Sequence, residues 1–206
     1  MKKRNFLFSI VILFLIISCS PLPTPPKTKE INTYLLEWEA TKLPDENKKQ
    51  PSSPALLVTP MRSAPGYETS AIIYEEKPYQ LNHFAYHRWA ETPSSMLSGL
   101  IITALGKVNA FKSVSSSSSQ AHADLLLETK LLCLKQVFKE NRSEVKFKVR
   151  ATLIDLETGD VIGEKIFALS EPAAPDPYSG VEAANRAVER FLNDLIDFTE
   201  KTSNTL

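Results

Sequence analysis

Cysteine is scarce in this chain, whose 206 residues include only Cys19 and Cys133. Because we assign one of them below to lipid attachment, a disulfide framework is excluded and the fold must be held by burial. Net charge is also lacking, since 24 basic side chains balance 24 acidic ones. No basic patch with interleaved aromatic residues stands out, so the sequence gives no electrostatic support for nucleic-acid binding.

Glycine is rare as well, with six residues, which makes glycine-dependent catalytic loops easy to exclude. There is no G-x-S-x-G segment and therefore no hydrolase nucleophile elbow. Gly106 and Lys107 are followed by Val108, where a phosphate-binding loop needs Ser or Thr to hold magnesium. No carboxylate pair and no nucleophile–base pair stands out. We therefore predict that the chain is not an enzyme and uses no cofactor.

Two histidines, His83 and His87, are four residues apart, a spacing that on a helix can hold a metal ion. They lie in a strand-like segment with no third ligand nearby, so we predict no metal site. The second cysteine, Cys133, alternates with Leu131 and Val137 along a predicted strand. This pattern favours a buried, inert thiol that packs as a small apolar side chain.

Residues 1–18 have the layout of a secretion signal, with a basic start and then the apolar run Phe6–Ile17. Twelve helical residues rise about 18 Å, well short of the ~30 Å hydrocarbon core, so a cleaved signal fits better than a membrane span. The segment ends in Ile16, Ile17 and Ser18 before Cys19, and it resembles the lipobox read by lipoprotein signal peptidase. Ile16 departs mildly from the leucine that this pattern prefers. An ordinary signal, or an uncleaved anchor, beside an incidental cysteine is the alternative.

Cys19 is thus the predicted lipidation site, and the resemblance implies acyl chains such as palmitate that anchor the protein stably. Ser20 follows, whereas enteric lipoproteins retained in the inner membrane carry Asp there, so the resemblance favours the outer membrane with the domain facing the periplasm. Residues 19–30 are proline-rich and predict a semi-rigid extended tether. Loss of residues 1–18 removes three basic side chains and leaves the mature chain slightly acidic.

The remaining residues, 31–206, form the predicted domain. In its first half, apolar patterns and turn residues predict strands at 31–38, 55–65, 70–75 and 79–89, with a polar loop at 39–54. Thr92 and Pro93 are a hydroxyl cap and a first-turn proline, and the apolar positions from Met96 to Val108 share one helical face. A short strand at 111–114 and a loop at Ser115–Ser119 follow.

The second half alternates more clearly. A long strand is predicted at 123–138, and residues 144–155 place Val145, Phe147, Val149, Ala151 and Leu153 on one face. Gly159 supplies a hairpin turn, a strand returns at 161–169, and prolines 172, 175 and 177 break the chain. A helix then runs from Ser179 or Gly180 to about Lys201. The order predicts an α+β fold, a two-layer sandwich of a mostly antiparallel sheet with two main helices on one face.

The segment Ala71–Leu97 resembles the ABC-type transport auxiliary lipoprotein family. Members of that family carry an aromatic strand that ends in a basic-Trp-Ala motif, followed by proline and a helix. Here the matching residues are Tyr86, Arg88, Trp89 and Pro93. Earlier residues, Val58–Arg62 with Gly66 and Tyr67, match the second strand and turn of the family.

The resemblance implies a non-enzymatic outer-membrane lipoprotein, an auxiliary component of an ABC-type intermembrane lipid transport system whose cargo is phospholipid. It implies docking to a periplasmic tunnel protein with mammalian-cell-entry domains, which works with an ABC permease and an ATPase. A closed symmetric tunnel is most simply met by a homo-oligomeric ring of this chain.

Several alternatives stay open at this point. Tether and size also fit a lipoprotein activator of cell-wall synthesis or an accessory of lipopolysaccharide assembly, neither of which requires the aromatic-Arg-Trp segment. Trp89 is expected to pack in the core, with docking as the alternative. Tyr67, Tyr79 and Tyr178 are either contact points for a partner or a cover over the edge of the core.

Overall fold

The computed structural model describes residues 29–39, 52–116 and 122–203. The predicted signal peptide with Ile16, Ile17 and Ser18, the lipidation site Cys19 and most of the 19–30 tether lie outside the described residues. Most of the predicted loop at 39–54 also lies outside them. Within the described ranges, no helix has both the length and the apolar character needed to cross a membrane.

The described residues form nine strands and two helices. Their order along the chain is β1 (Asn32–Tyr34), β2 (Ala55–Val58), β3 (Arg62–Ser63), β4 (Ala71–Glu75), β5 (Asn82–Trp89), α1 (Pro93–Gly106), β6 (Ser113–Ser116), β7 (Leu125–Lys139), β8 (Arg142–Asp155), β9 (Val161–Ala173) and α2 (Pro177–Ser203).

Strand β7 organises the sheet, because it pairs with four other strands. One edge pairs antiparallel with β8 along its whole length. The other edge pairs parallel with β2, then β3, then β4, so that the segment from Ala55 to Glu75 runs beside β7 as one interrupted strand. Strand β6 adds to β2, while β5 and then β1 extend the sheet beyond β4.

The long strands β7, β8 and β9 form an antiparallel meander. The predicted alternation of β8 is confirmed, since its five apolar inward residues are all buried. At the β8–β9 turn, Asp155 Oδ1 accepts the backbone N–H groups of Glu157 and Thr158 at 2.7 and 3.0 Å. Gly159 has a φ of +78°, a conformation that favours glycine, and the predicted hairpin is confirmed.

Both helices begin at a side-chain cap. Thr92 Oγ1 accepts the N–H of Ser95 at 3.3 Å, and Pro93 follows as the first residue of α1, as predicted. Asp176 Oδ1 accepts the N–H of Ser179 at 2.9 Å. Because this cap precedes Pro177, α2 begins two residues earlier than the sequence suggested.

The two helices pack on the same side of the sheet and share one core with it. Leu97, Ile101 and Leu105 of α1 are fully buried. Phe191 of α2 meets Phe147 and Phe167 of the sheet edge-on, with ring centroids 5.4 and 5.2 Å apart. The opposite side of the sheet faces solvent along β8. The predicted α+β two-layer sandwich is therefore confirmed.

Several local predictions differ from the structure. The first strand is limited to β1, and the predicted strand at 55–65 is divided into β2 and β3. Ser115 and Ser116 belong to β6 rather than to a serine loop. Pro172 does not end β9, and it is tolerated because β9 is an edge strand among the described residues. The parallel pairing of the short strands is a further addition to the predicted sheet.

Candidate binding surface

Trp89, the most conspicuous residue of the predicted motif, is a core residue with 3% of its surface exposed. It ends β5, where its backbone N–H donates to the carbonyl of Ser70 at 2.8 Å. The next N–H, of Ala90, donates to Tyr34 at 2.7 Å, which ties β1 to the same point. Pro93 is also buried, at the start of α1. Trp89 and Pro93 thus hold the junction of β5 and α1 by packing.

The other two motif residues face solvent. Tyr86 is 42% exposed and Arg88 is exposed, so neither contributes to the core. Arg88 pairs with Ala71 of β4 in the register of the sheet. The motif is therefore split, with its tryptophan and proline inside and its tyrosine and arginine outside.

An irregularity in β5 turns two rings toward one side of the sheet. Arg88 pairs with Ala71 while His83 pairs with Ile73, so five steps along β5 oppose two steps along β4. Such a bulge re-aims the side chains between the paired residues. Phe84 and His87 consequently lie together, with ring centroids 6.1 Å apart.

These two rings belong to a continuous surface that we call the aromatic face. It consists of six rings from five segments of the chain: Tyr34, Tyr74, Phe84, His87, Phe138 and Tyr178. It lies on the helix side of the sheet, because Tyr74 pairs with Gln136, whose side chain meets Gly180 of α2.

At one end of the aromatic face, Tyr74 and Phe84 stack with ring centroids 4.4 Å apart. Phe138 meets both of them edge-on, at 5.7 Å from Tyr74 and 6.2 Å from Phe84. These are favourable offset and edge-to-face geometries for aromatic rings. All three side chains are only partly buried, so the cluster is accessible from solvent.

At the other end, Tyr34 lies parallel to His87, with ring centroids 5.8 Å apart and 3° between the planes. A hydrogen bond of 2.9 Å joins Tyr34 Oη to His87 Nδ1. Tyr178, which is 56% exposed, stands against Tyr34 at 6.2 Å. Burial raises the pKa of the Tyr34 hydroxyl, with Tyr178 and the carboxylate of Asp176 adding to the effect.

The first turn of α2, which carries Tyr178, is fixed by a buried polar network. Gln136 of β7 is 2% exposed, and its Nε2 donates to Ser143 Oγ at 2.8 Å and to the carbonyl of Asp176 at 3.0 Å. Ser143 Oγ in turn donates to the carbonyl of Ala174 at 2.9 Å. The N–H of Ser179 lowers the pKa of the Asp176 carboxyl, so this cap stays charged at neutral pH. The position of Tyr178 therefore depends on β7 and β8.

The aromatic face has the chemistry of a binding surface. Its rings supply apolar contact area, and the tyrosine hydroxyls and the imidazole supply hydrogen-bonding groups among them. Within the described residues, no group of three potential metal ligands occurs. His83 is exposed on the side opposite His87, so these two histidines do not converge.

The remaining predicted residues lie elsewhere. Tyr79 is fully exposed at the β4–β5 turn, apart from the aromatic face, while Tyr67 is half-buried on the other side of the sheet. Cys133 is there too and is half-buried, because a bulge after Leu131 moves it to the face opposite Leu131. Tyr67 Oη donates to Cys133 Sγ at 3.4 Å.

Sequence reasoning named Tyr178 but missed the other aromatic members of the face. Tyr34, Tyr74, Phe84 and Phe138 are far apart in sequence, and each looks like an ordinary strand residue. A partial signal exists in the aromatic alternation of β5 beside the motif. The convergence itself follows from the parallel pairing of β4 with β7 and of β1 with β5.

Comparison with known families gives one match over most of the chain. The sequence model of the ABC-type transport auxiliary lipoprotein component family matches residues 34–195. This range includes every strand except the first two residues of β1, as well as α1 and most of α2. Comparison with curated proteins finds no sequence match.

Solved structures share the fold at low sequence identity. A Xanthomonas campestris protein of the family DUF330 is 17% identical, with a TM-score of 0.74 over 84% of this chain and 97% of that one. An uncharacterised protein is 12% identical, with a TM-score of 0.62 over 82% of this chain and 97% of that one. A hypothetical protein from Chlamydia trachomatis is 11% identical, with a TM-score of 0.52 over 75% of this chain and 100% of that one. At these identities the likeness shows the fold alone.

Proposed function

We propose, because the chain belongs to the family of ABC-type transport auxiliary lipoprotein components, that it is the non-enzymatic outer-membrane lipoprotein of an intermembrane lipid transport system. In this proposal the domain docks a periplasmic tunnel protein with mammalian-cell-entry domains, and an ABC permease and ATPase drive the system. The cargo is phospholipid. In this proposal the chain binds and positions the tunnel protein and catalyses no reaction.

The aromatic face is the observation that carries the docking proposal. Its six rings are in contact and partly exposed, five of them on strands of the sheet and Tyr178 on α2. A connected aromatic area of this kind marks a surface that binds a partner. Protein interfaces are enriched in tyrosine and phenylalanine, which bury a large area at low cost in conformational entropy. Because paired strands carry five of the rings and the rings already contact one another, a preformed contact is favoured over one that is ordered on binding.

The docking proposal is tested by binding of the mature chain to the tunnel protein of the same genome. The chain is produced without residues 1–18 and carries Cys19→Ser, so that no lipid is attached and it stays soluble. The double variant Tyr34→Ala/Tyr178→Ala removes two neighbouring rings of the aromatic face. We expect it to weaken binding by about thirtyfold or more, as central aromatic contacts do. Tyr79→Ala removes an exposed tyrosine outside the face and is the matched control. Equal affinity of the double variant and the control would exclude this surface.

A homo-oligomeric ring is part of the same proposal. A closed rotationally symmetric tunnel offers identical contacts around its axis, and a ring of identical subunits meets all of them. Light scattering of the mature Cys19→Ser chain, alone and with the tunnel protein, tests this. A strict monomer that ignores the tunnel protein contradicts it and favours a different lipoprotein class.

The last element of the proposed function is a lipid anchor attached at Cys19. Signal peptidase recognition at Ile16, Ile17 and Ser18 exposes Cys19 as the first residue of the mature chain. We expect Cys19→Ser to leave the precursor unprocessed and without lipid label, while the wild type fractionates with the outer membrane. Unchanged lipid label on the variant would overturn the assignment.

A further inference from the structure

The side of the sheet opposite the helices, which we call the basic face, carries an excess of positive charge. Strand register and alternation place eight basic side chains of β3, β7 and β8 on it: Arg62, Lys130, Lys135, Lys139, Arg142, Lys146, Lys148 and Arg150. Four carboxylates lie among them: Glu75, Glu128, Glu144 and Glu164.

Basic residues stand directly opposite one another across the β7–β8 ladder. Lys139 pairs with Arg142, Lys135 with Lys146, and Lys130 with Arg150. Like charges in directly opposed positions destabilise an antiparallel sheet. Carboxylates offset this repulsion at Lys139, Lys135 and Lys146. The pair of Lys130 and Arg150 has no such compensation and is therefore kept at a cost in stability, which an external anion would offset.

The carboxylates of the face neutralise only part of this charge. Glu75 pairs with Lys135 at 2.7 Å, Glu144 with Lys139 at 2.7 Å, and Glu128 with Arg62 at 3.5 Å. The hydrogen bonds from Lys139 and Ser170 lower the pKa of the Glu144 carboxyl. Glu144 is therefore fully charged at neutral pH and cannot offset more positive charge than it already does. Within the described part of the chain, four of these eight cations have no ion-pair partner: Lys130, Arg142, Lys148 and Arg150.

The whole chain carries no net charge, so the positive charge of the basic face is balanced by negative charge in other parts of the chain. Helix α2, on the other side of the sheet, carries five acidic and three basic side chains. The domain is therefore polarised, with a positive sheet side and a more negative helix side.

We propose that the basic face lies on an anionic phospholipid membrane surface. The inference rests on the predicted lipid anchor at Cys19 and is otherwise independent of the tunnel partner. Residues 19–30 span at most about 40 Å when extended, so an anchored domain stays within reach of the bilayer. Attraction to anionic lipid acts within about 8 Å at physiological salt, so it operates only on a surface in contact with the headgroups.

Composition favours a membrane over a protein as the occupant. Lysine is depleted from the centres of protein interfaces. Tyr67, which lies on this side of the sheet, is half-buried and hydrogen-bonded to Cys133, unlike the exposed aromatic anchors that such interfaces use. A membrane surface requires no shape complementarity and rewards each lysine or arginine separately. The long ladder of β7, β8 and β9 presents these cations side by side, with strands about 4.8 Å apart, toward such a surface.

The test is flotation of the mature Cys19→Ser chain with vesicles that contain phosphatidylglycerol, against vesicles of phosphatidylcholine alone. In this background, binding reports on the protein surface and not on acyl chains. We expect binding only to the phosphatidylglycerol vesicles, with loss at high salt. The double variant Lys148→Gln/Arg150→Gln should weaken it about 25-fold, at about fivefold per cation.

The matched control is Lys77→Gln/Lys201→Gln, which removes the same charge from exposed positions off the basic face. It should change vesicle binding less than twofold. Equal loss in both double variants would mean attraction by overall charge and would overturn the proposal, as would the absence of binding to anionic vesicles. The assay contains no tunnel protein, so its failure leaves the proposed docking function standing.

Discussion

Gly180, in the first turn of α2, is the position where a single methyl group should do most harm. A Cβ built there overlaps Gln136 Oε1 and lies 2.7 Å from Gln136 Cδ. Ordinary contacts of this kind are 3.4 Å or longer, so Gly180→Ala must displace the Gln136 amide by about 1 Å. The amide cannot move freely, because it is buried and bonded to Ser143 and to the carbonyl of Asp176.

The magnitude follows from those bonds. A displacement of about 1 Å breaks two hydrogen bonds of 2.8 and 3.0 Å, and leaving a buried amide unsatisfied costs about 1–3 kcal/mol in addition to the bonds themselves. Alanine regains up to about 1 kcal/mol of helix propensity. We therefore expect Gly180→Ala to lower the free energy of unfolding by about 2 kcal/mol, or the melting temperature by about 4–8 °C.

A double-mutant cycle tests this prediction. The free energy of unfolding in denaturant is measured for four proteins: wild type, Gly180→Ala, Gln136→Ala and the double variant. With Gln136 shortened, the methyl group has room, so Gly180→Ala should become neutral or stabilising in that background. The coupling between the two sites should be about 2–3 kcal/mol. Gly99→Ala in α1 is the matched control, since nothing lies within 4 Å of its Cβ, and it should stabilise by about 0.5–1 kcal/mol.

Two results would refute this reasoning. One is a Gly180→Ala protein that is stabilised as much as Gly99→Ala. The other is an effect of Gly180→Ala that is the same with and without Gln136. Since the same network sets the start of α2 and the place of Tyr178, Gly180→Ala should also weaken binding to the tunnel protein.

Three further predictions concern single groups. Trp89→Ala should destabilise by about 3–5 kcal/mol in denaturant unfolding and Arg88→Ala by less than about 0.5, because only the first is buried; equal effects would contradict the split of the motif. A thiol reagent should modify Cys133 slowly in the native protein and faster in Tyr67→Ala but not in Tyr67→Phe, since the ring shields the sulfur; rapid native labelling would contradict this. The Ala55 N–H and Lys112 lower the pKa of Asp124 in the folded state, so its stabilisation is present above the ordinary pKa near 3.8 and is lost as pH falls through the folded pKa. Asp124→Asn should thus be less stable than wild type at pH 7, by about 1 kcal/mol or less, and the two should converge in acid unfolding below about pH 4.

The fold was predictable where the pattern of apolar and polar residues shows which face of a strand or helix is buried. In β8, Phe147 and Val149 alternate with Lys146 and Lys148, because an antiparallel strand with one face in solvent must repeat every two residues. Thr92 and Pro93 give the start of α1 for an equally local reason. The pairing of β2, β3 and β4 along β7 was not predictable, since parallel partners are distant in sequence and leave no turn between them.

The candidate site shows the same limit more sharply. The burial of Trp89 was predictable, because a large aromatic side chain at the junction of a strand and a helix is expected to pack in the core. The aromatic face required the register of β4 on β7 and the bulge of β5, both of which depend on long-range pairing. The alternation around Cys133 predicted a buried thiol, but a bulge after Leu131 reverses the faces of the residues that follow, and Cys133 is only half-buried.

The last prediction concerns the two surfaces together. The aromatic face lies on the helix side of the sheet, and the basic face lies on the other, so one layer of strands separates them. A domain that rests on a membrane through the basic face therefore keeps Tyr34 and Tyr178 directed away from the bilayer. We expect vesicle-bound mature Cys19→Ser chain to bind the tunnel protein as tightly as the free chain does, measured by recruitment of labelled tunnel protein to phosphatidylglycerol vesicles. Lys148→Gln/Arg150→Gln should weaken recruitment about 25-fold, because it weakens vesicle binding, without changing the affinity for the tunnel protein in solution. Tyr34→Ala/Tyr178→Ala should leave vesicle binding intact and weaken recruitment about thirtyfold or more. Competition between vesicles and tunnel protein would mean that the two surfaces overlap, and one of the two assignments would then have to be given up.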